Sequence, residues 1–247
     1  MTILVTGANG LLGSNLVREL IQRGHRVRAF IYPGEKTPTL EGLPIEKVEG
    51  NILHYEDLKS ASYGVDAIFH LAANTSYWPS RDSNVRTVNV EGTRNVLKLC
   101  KAIRIKRLVY VGTANTFSFG SIKNPGKEDT KYLGHKYGMD YMDSKYNAHL
   151  LVKAAVEDGV PAVIVNPTFM LGAYDSKPSS GTMLMAIHSK KVLGYTSGGR
   201  NFIYVNDAAV GIANALTKGR IGESYIIGNQ NLTYKLAFTK MARMAHV

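Results

Sequence analysis

The stretch "TGANGLLG", residues 6–13, decides the fold expected for this chain. It follows an apolar run at residues 3–5 that predicts a strand, and it leads into a periodic segment at residues 11–22 that predicts a helix. Gly7 gives the φ freedom of a tight turn, Gly10 lets backbone approach a phosphate, and Gly13 lets the helix lie close to the strand. Free N–H groups and a positive dipole at the helix start favour an anion. The stretch therefore predicts a pyrophosphate-binding turn of a dinucleotide site; the alternative is a tight turn that binds nothing. The residues expected to contact the cofactor here are Gly7, Asn9, Gly10, Leu11, Leu12 and Gly13.

Short β-branched runs alternate with longer helical segments along the rest of the chain, which is typical of a parallel sheet covered by helices. The other strands are expected at residues 27–31, 45–48, 67–69, 108–111 and 162–165. Helices are expected near Asp57, over about 90–103, from Tyr141 to about 157, over 182–189 and after Asp207. The predicted fold class is α/β, a doubly wound parallel sheet.

The regular alternation weakens after Pro167, where Gly, Pro and Ser cluster in "AYDSKPSSG". We therefore expect a dinucleotide-binding domain over residues 1–165. Residues 166–247 are expected to complete the sheet and to form a small C-terminal substrate lobe. The last segment, "YKLAFTKMARMAHV", predicts an amphipathic helix without a cap, and we expect the chain to be incomplete at this end.

Composition excludes several classes of protein. The chain has 247 residues, 45% of them hydrophobic, and no apolar run approaches the about 18 residues of a membrane span, so no membrane partner and a cytoplasmic location are expected. The formal net charge is +11, but the basic residues are dispersed, which argues against nucleic acid as a partner. The single cysteine, Cys100, is expected to be buried, and the histidines show no metal-ligand spacing.

The end of the second strand bears on which dinucleotide binds. An acidic residue about 20 positions after the glycine turn would hold the ribose hydroxyls of NAD. The chain instead has Ile31 and Tyr32 at that point, with Arg28 before them and Lys36 after them. Cations suit a 2′-phosphate, so NADP is favoured over NAD; ordinary surface charge is the alternative explanation.

The stretch "YLGHKYGMDYMDSK", residues 132–145, contains the spacing Tyr-x-x-x-Lys twice. The first pair, Tyr132 and Lys136, is interrupted by glycine and is expected in a loop. The second pair, Tyr141 and Lys145, opens an uninterrupted helical run, where residues four apart share one face. A phenol has a pKa near about 10, and a nearby ammonium lowers it toward the range in which tyrosine exchanges a proton with a carbonyl or an alcohol.

Several motifs in order give the chain a resemblance to a known family. They are "TGANGLLG" (6–13), "HLAA" (70–73), "NVEGTRNVL" (89–97), "RLVYVGTA" (107–114), "YMDSK" (141–145), "NPTFMLG" (166–172) and "FIYVNDAA" (202–209). Together the motifs resemble the extended short-chain dehydrogenase/reductases of the NAD(P)-dependent epimerase/dehydratase superfamily, in particular the dihydroflavonol-4-reductase-like enzymes. The resemblance implies a Rossmann-type fold and covers essentially the whole chain.

The resemblance also implies roles for individual residues. Tyr141 is expected to be the catalytic acid/base, Lys145 its partner, and Thr113 the hydroxyl that holds the substrate carbonyl. Gly112 departs from the family, which often has a serine there. The remaining residues expected at the cofactor are Tyr32, Lys36, Asn51, Ile52, Leu71, Ala72, Ala73 and Pro167, beside Tyr141 and Lys145.

The function expected is reduction of a carbonyl on a small-molecule substrate, or oxidation of the alcohol, with NADP or NAD. The runner-up is a nucleotide-sugar epimerase, and a third hypothesis is a cofactor-binding regulator without catalysis. A dehydratase is disfavoured because Ala114-Asn115 follows Thr113 where an acidic pair would be expected. The resemblance also implies a homodimer formed by the helices that begin near Asn89 and Tyr141.

Overall fold

A computed structural model describes residues 1–247, and its centre is a seven-stranded parallel sheet in the order β3-β2-β1-β4-β5-β6-β9. Its strands are β1 (Thr2–Thr6), β2 (Arg26–Ile31), β3 (Glu46–Glu49), β4 (Ala67–His70), β5 (Arg107–Val111), β6 (Ala162–Pro167) and β9 (Ser224–Ile227). The helices are α1 (Leu11–Gln22), α2 (Tyr55–Ala61), α3 (Ser83–Ala102), α4 (Asp140–Glu157), α5 (Gly181–His188), α6 (Val205–Lys218) and α7 (Tyr234–Met244). A second sheet has the order β10-β8-β7 and consists of β7 (Phe169–Leu171), β8 (Gly199–Tyr204) and β10 (Gln230–Thr233).

The sheet is covered on both faces, because successive side chains of its strands point to opposite sides. In β1, Ile3 and Val5 pack with α1 and α6, whereas Leu4 packs with α2, α3 and α4. The inner strands repeat this alternation between the two hydrophobic layers. This is the doubly wound α/β arrangement expected from the sequence.

The order of the strands reverses direction between β1 and β4. From β1 the chain builds outward through β2 to β3, then returns to place β4 on the other side of β1. In open parallel sheets, ligands bind in the crevice outside the carboxyl ends of the strands at such a reversal. The fold therefore locates a binding crevice where Gly7 and Leu71 follow β1 and β4.

The structure differs from the sequence expectation at several element boundaries. Helix α3 begins at Ser83, seven residues before the expected start, because Asp82 caps it by accepting a hydrogen bond from the Asn84 N–H (2.8 Å). The start is polar, so hydrophobic periodicity did not reveal it. Helix α4 ends as expected, with Asp158 at its C-cap and Gly159 at φ +90°.

The region after Pro167 contains more strand than the sequence pattern indicated. Strand β9 pairs with β6 and completes the large sheet, while β7, β8 and β10 form the separate small one. These four short strands were not predicted. Helices α5 and α7 share a small hydrophobic cluster with β8, in which Ile187, Phe202 and Met241 are buried.

Two further sequence expectations concern burial. Cys100 is buried in α3, as expected, and burial raises the pKa of its thiol to about 12. None of the helices combines the length and the apolar composition that crossing a membrane would require.

Candidate active site

The parallel sheet gathers the residues singled out in the sequence at one edge. Because the strands run in the same direction, the segments that follow them emerge together at the carboxyl end. Gly7 follows β1, Tyr32 follows β2, Asn51 comes two residues after β3, Leu71 follows β4, and Thr113 comes two residues after β5. Pro167 is the last residue of β6.

The glycine turn has the geometry of a phosphate cradle. Gly7 has φ +70°, and a Cβ there would lie 2.7 Å from the backbone nitrogen of Ala72. A Cβ on Gly13 would lie 2.1 Å from the carbonyl oxygen of Gly7. Packing thus requires Gly7 and Gly13, whereas a Cβ on Gly10 would meet only the Gly7 oxygen, at 3.6 Å. Gly10 therefore serves access to the start of α1.

The start of α1 is available to an anion. Gly10 is its N-cap residue and has extended backbone, and no side chain caps the first turn. The unpaired N–H groups of that turn, with the helix dipole behind them, suit a pyrophosphate. Leu11 and Leu12 lie in this turn, and Asn9 precedes it. The residues present thus fit a dinucleotide.

The loops after β1 and β4 are joined by a buried polar network. Thr6 Oγ1 accepts a hydrogen bond from the Ala72 N–H (3.2 Å) and bonds to His70 Nδ1 (2.8 Å). His70 Nε2 in turn bonds to Thr93 Oγ1 (3.0 Å) on α3. His70 is therefore a packed strand residue, as expected, and burial lowers its pKa to about 3. The network fixes the loop that carries Leu71, Ala72 and Ala73.

A cationic cleft lies beyond the end of β2. It has a volume of about 490 Å³, and its lining includes Tyr32, Lys36 and Lys177. Lys177 arrives from the segment before α5 and forms an ion pair with Glu35. Two lysines thus face the position where an adenosine ribose would lie, and Lys177 was not identified from the sequence because it is distant along the chain.

Arg28 does not belong to this cleft, and the sequence argument that used it was wrong. Its guanidinium pairs with Glu46 (2.7 Å) and donates to the carbonyl oxygens of Ala61 and Tyr63. Those partners hold Arg28 in the middle of β2, away from the carboxyl edge, so it contributes nothing to a choice between NAD and NADP there.

The loop after β3 is ordered by its own side chains. Asn51 Oδ1 accepts a hydrogen bond from the Leu53 N–H (2.9 Å), and Asp57 accepts one from the Asn51 N–H (2.9 Å). Ile52 is buried against Gly92 of α3, where a Cβ would lie 3.0 Å from the isoleucine side chain. The Asn51 oxygen expected to accept a bond from adenine is thus already used within the loop.

Tyr141 and Lys145 lie one turn apart near the start of α4. The Lys145 ammonium is buried and donates to the carbonyl oxygen of Val111 (2.9 Å) at the end of β5. It also lies 4.8 Å from the centre of the Tyr110 ring. Because burial disfavours the charged form, the pKa of Lys145 falls to about 7. The contact with Val111 fixes this end of α4 against the end of β5.

The environment of Tyr141 favours the protonated phenol. Burial raises its pKa well above the usual range, the neighbouring hydroxyl of Tyr77 raises it further, and interaction with the Thr113 hydroxyl lowers it. Lys145 is not among the groups that shift this pKa, in contrast to the expectation from the spacing. At neutral pH Tyr141 is therefore a neutral hydroxyl that can donate a proton.

Thr113 faces Tyr141 from the end of β5. It is 8% exposed, and its Oγ1 accepts a hydrogen bond from the Asn115 N–H (3.3 Å). The preceding residue, Gly112, has a structural reason to lack a side chain, since a Cβ there would lie 2.2 Å from Asn166 Oδ1. The departure from the family at Gly112 thus leaves Thr113 in place.

The other tyrosine-lysine pair is not arranged for chemistry. Lys136 lies in a short 3₁₀ turn, Gly134–Tyr137, and Tyr132 precedes it. The Tyr132 hydroxyl donates to Asp143 Oδ1 (2.7 Å), so it acts as a brace between the loop and α4. The loop expected for this pair is thus a short turn that stabilises the start of α4.

Asn89 is a further residue near the site to which the sequence argument gave no role. Its amide nitrogen donates to the carbonyl oxygen of Asn74 (3.0 Å) and to Ser144 Oγ (2.9 Å), and its oxygen accepts from the Asn74 N–H (2.8 Å). Asn89 thus joins the loop after β4 to the residue before Lys145. Its place in "NVEGTRNVL" marked the motif, but a role for it required the fold.

Comparison with known proteins places the chain in a family. The model of the NAD dependent epimerase/dehydratase family matches residues 3–228. A putative dihydroflavonol 4-reductase of Synechocystis sp. is 33% identical over 236 residues, covering 93% of this chain and 68% of the relative. Sterol demethylase protein B of Methylococcus capsulatus is 32% identical over 239 residues, covering 94% and 71%. The crystal structure of gox2253 superimposes with a TM-score of 0.94 at 33% identity, covering all of this chain and 75% of that one.

The chain belongs to the NAD-dependent epimerase/dehydratase family. It is an NAD(P)-dependent oxidoreductase of the extended short-chain dehydrogenase/reductase type, as the motifs predicted.

Proposed function

We propose that this member of the NAD-dependent epimerase/dehydratase family is an NADP-dependent reductase that converts a carbonyl group of a small organic substrate to an alcohol. The observation that carries the proposal is the convergence of Tyr141, Thr113 and Lys145 at the end of β5, beside the crevice that follows β1 and β4. The similarity to a relative named as a putative dihydroflavonol 4-reductase supports a reductase.

The proton-transfer step follows from the environment of the side chains. A reduced nicotinamide bound in the crevice supplies the hydride that the carbonyl carbon accepts. Tyr141, held neutral by its raised pKa, donates its hydroxyl proton to the carbonyl oxygen, and the Thr113 hydroxyl hydrogen-bonds to the same oxygen. Positioned proton donors of this kind contribute about 10²- to 10⁴-fold to the rate.

Lys145 acts by holding geometry and by supplying a donor at a fixed point. Its ammonium is anchored on the Val111 carbonyl oxygen, so it has further N–H groups to offer to a ribose hydroxyl in the crevice. With a pKa of about 7, Lys145 changes its charge close to neutral pH. The residues that would hold the pyrophosphate are the backbone N–H groups around Gly10, Leu11 and Leu12.

The preference for NADP rests on the cleft after β2. Lys36 and Lys177 line it, and the sequence places Ile31 and Tyr32 where an NAD-binding acid would stand. Glu35 pairs with Lys177 and partly offsets the positive charge. The net balance of the three side chains favours an anionic 2′-phosphate over a free hydroxyl.

The alternative is a nucleotide-sugar epimerase, which the description of the matched family model favours. Such an enzyme would use Tyr141 and Thr113 to oxidise and re-reduce its substrate without net consumption of cofactor. Tyr141 would then act first as base and afterwards as acid.

The test is nicotinamide absorbance during incubation with NADPH or NADH and panels of ketones, aldehydes and nucleotide sugars. Wild type is expected to consume NADPH with a carbonyl substrate, and Tyr141→Phe to lose about 10²-fold or more of kcat. Tyr132→Phe is the matched control and should keep its activity, because Tyr132 only braces Asp143. A nucleotide sugar converted to its epimer without net NADPH consumption would overturn the reductase and establish the epimerase.

A further inference from the structure

Tyr77 packs directly on the proposed proton donor. It lies in the loop after β4, and its ring centre is 4.8 Å from that of Tyr141, with the planes tilted by 51°. The interaction includes the hydroxyl groups, since each tyrosine shifts the pKa of the other. From the sequence, a place in the core and a place at the substrate were equally open for Tyr77; the structure puts it against Tyr141.

The neighbours of Tyr141 differ in their access to water. Tyr110 is 1% exposed, Thr113 is 8% exposed, and the buried Lys145 points to the Val111 carbonyl oxygen. Tyr77 is 50% exposed. Among the residues whose hydroxyls interact with Tyr141, Tyr77 is therefore the one that also reaches solvent.

Arg200 gives Tyr77 an environment suited to a transient negative charge. Its guanidinium stacks over the Phe169 ring at 4.1 Å from the centre, and no carboxylate pairs with it. Its positive charge acts on the Tyr77 hydroxyl and lowers the pKa of that phenol, against the larger effect of burial. An unpaired cation beside a partly exposed phenol favours the phenolate while it awaits a proton.

We propose that Tyr77 returns a proton to Tyr141 after each reduction and so connects the buried donor to solvent. This inference rests on the proposed reductase function. When Tyr141 has given its proton to the substrate oxygen, its phenolate takes the hydroxyl proton of Tyr77, and the Tyr77 phenolate beside Arg200 takes a proton from water or from a buffer acid. The O–H bond formed at Tyr141 replaces the one broken at Tyr77, so both tyrosines end as they began.

Tyr77→Phe separates this role from packing, because phenylalanine keeps the ring against Tyr141 and removes only the hydroxyl. The variant is expected to complete one turnover per active site at the wild-type rate and then to slow by on the order of tenfold. Rapid mixing with NADPH and a carbonyl substrate would show this as a burst of one equivalent. The slow phase should accelerate as the concentration of buffer acid rises. Tyr63→Phe is the matched control, since Tyr63 is 88% exposed and lies at the opposite edge of the sheet, and it should show neither effect.

The pH profile gives an independent readout. The titratable and charged groups that face the pair are Tyr110 and Lys145 near Tyr141, and Arg200 near Tyr77. Tyr77→Phe should move the alkaline limb of kcat, whereas a purely structural role would leave it unchanged. Steady-state turnover without a burst, and with the wild-type pH profile, would overturn the relay while leaving the reductase intact. Absence of turnover by wild type would overturn both.

Discussion

The side-chain amide of Asn166 occupies the space that a side chain on Gly112 would need. A Cβ at Gly112 would lie 2.2 Å from Asn166 Oδ1, which is itself buried and accepts no hydrogen bond within the chain. Gly112 stands at the end of β5 and Asn166 near the end of the neighbouring β6. The two residues are therefore matched, and the glycine that seemed a defect in the serine position of the family follows from the asparagine beside it.

Gly112→Ala is expected to destabilise the protein by about 1 to 3 kcal/mol, because the new methyl group overpacks against Asn166. Urea unfolding would measure the loss. Gly194→Ala is the control, since a Cβ at Gly194 meets nothing within 4 Å. Combining Gly112→Ala with Asn166→Ala should recover part of the stability, and the absence of any recovery would contradict the matched pair.

Gly10→Ala and Gly13→Ala are expected to fail in different ways. Gly13→Ala should prevent stable folding, because its Cβ would lie 2.1 Å from backbone oxygen. Gly10→Ala should fold with little loss of stability and bind NADPH on the order of tenfold more weakly, because its methyl group would stand before the N–H groups of α1. Fluorescence of bound NADPH measures affinity and circular dichroism measures folding. Equal affinity of Gly10→Ala and wild type would remove the pyrophosphate from this turn.

Lys36→Glu is expected to reverse the choice of cofactor. The substitution places a carboxylate at the cleft after β2, where it repels a 2′-phosphate and accepts bonds from ribose hydroxyls. The ratio of kcat/KM for NADPH to that for NADH should fall on the order of a hundredfold. Arg28→Ala is the control: it removes the bonds to Glu46 and to two carbonyl oxygens but should leave the ratio unchanged.

Thr113→Val should reduce kcat/KM by on the order of tenfold to a hundredfold with a carbonyl substrate, because the carbonyl oxygen loses a hydrogen-bond donor while volume is kept. Thr113→Ser keeps the hydroxyl and should retain most of the activity. Binding of NADPH should be the same in both variants. If the valine variant were as active as the serine variant, Thr113 would only end the strand.

Buried histidines should make the protein sensitive to acid. Burial lowers the pKa of His149 to about 4 from the usual value of 6.5, so between these two pH values the unfolded chain binds more protons than the folded one. The free energy of unfolding therefore falls as the pH is lowered through this window. His149 packs edge-on against Phe117, and its Nδ1 has no partner, so His149→Phe should fold and lose about 1 to 2 kcal/mol of the pH dependence between pH 7.5 and 5. Urea unfolding at the two pH values measures the difference; an unchanged difference would exclude His149 as its source.

Much of the fold and part of the site could be predicted because they depend on local pattern. The first strand, the glycine turn and α1 lie within 22 residues, and their periodicity and glycine spacing were sufficient to place them. The same holds for Tyr141 and Lys145, because residues four apart share a face of a helix wherever the helix lies. Once the strands were recognised as parallel, their carboxyl ends had to meet at one edge.

The remaining features depend on residues that are far apart in the chain. The pattern gave no sign that Glu46 would hold Arg28 away from the cleft, that Lys177 would arrive beside Lys36, or that β9 would complete the sheet. Nor did it show that the environment of Tyr141 raises its pKa, since that shift comes from burial and from Tyr77.

The sequence by itself determined the class of fold, the phosphate-binding turn and the tyrosine-lysine pair, because each follows from spacing along a single strand, turn or helix. Only the tertiary structure decided which side chains face each other across the crevice, and therefore the charge state of Tyr141 and the contact with Tyr77. Burial and electrostatic interaction act through space, and the distances that govern them are fixed only when separate segments pack.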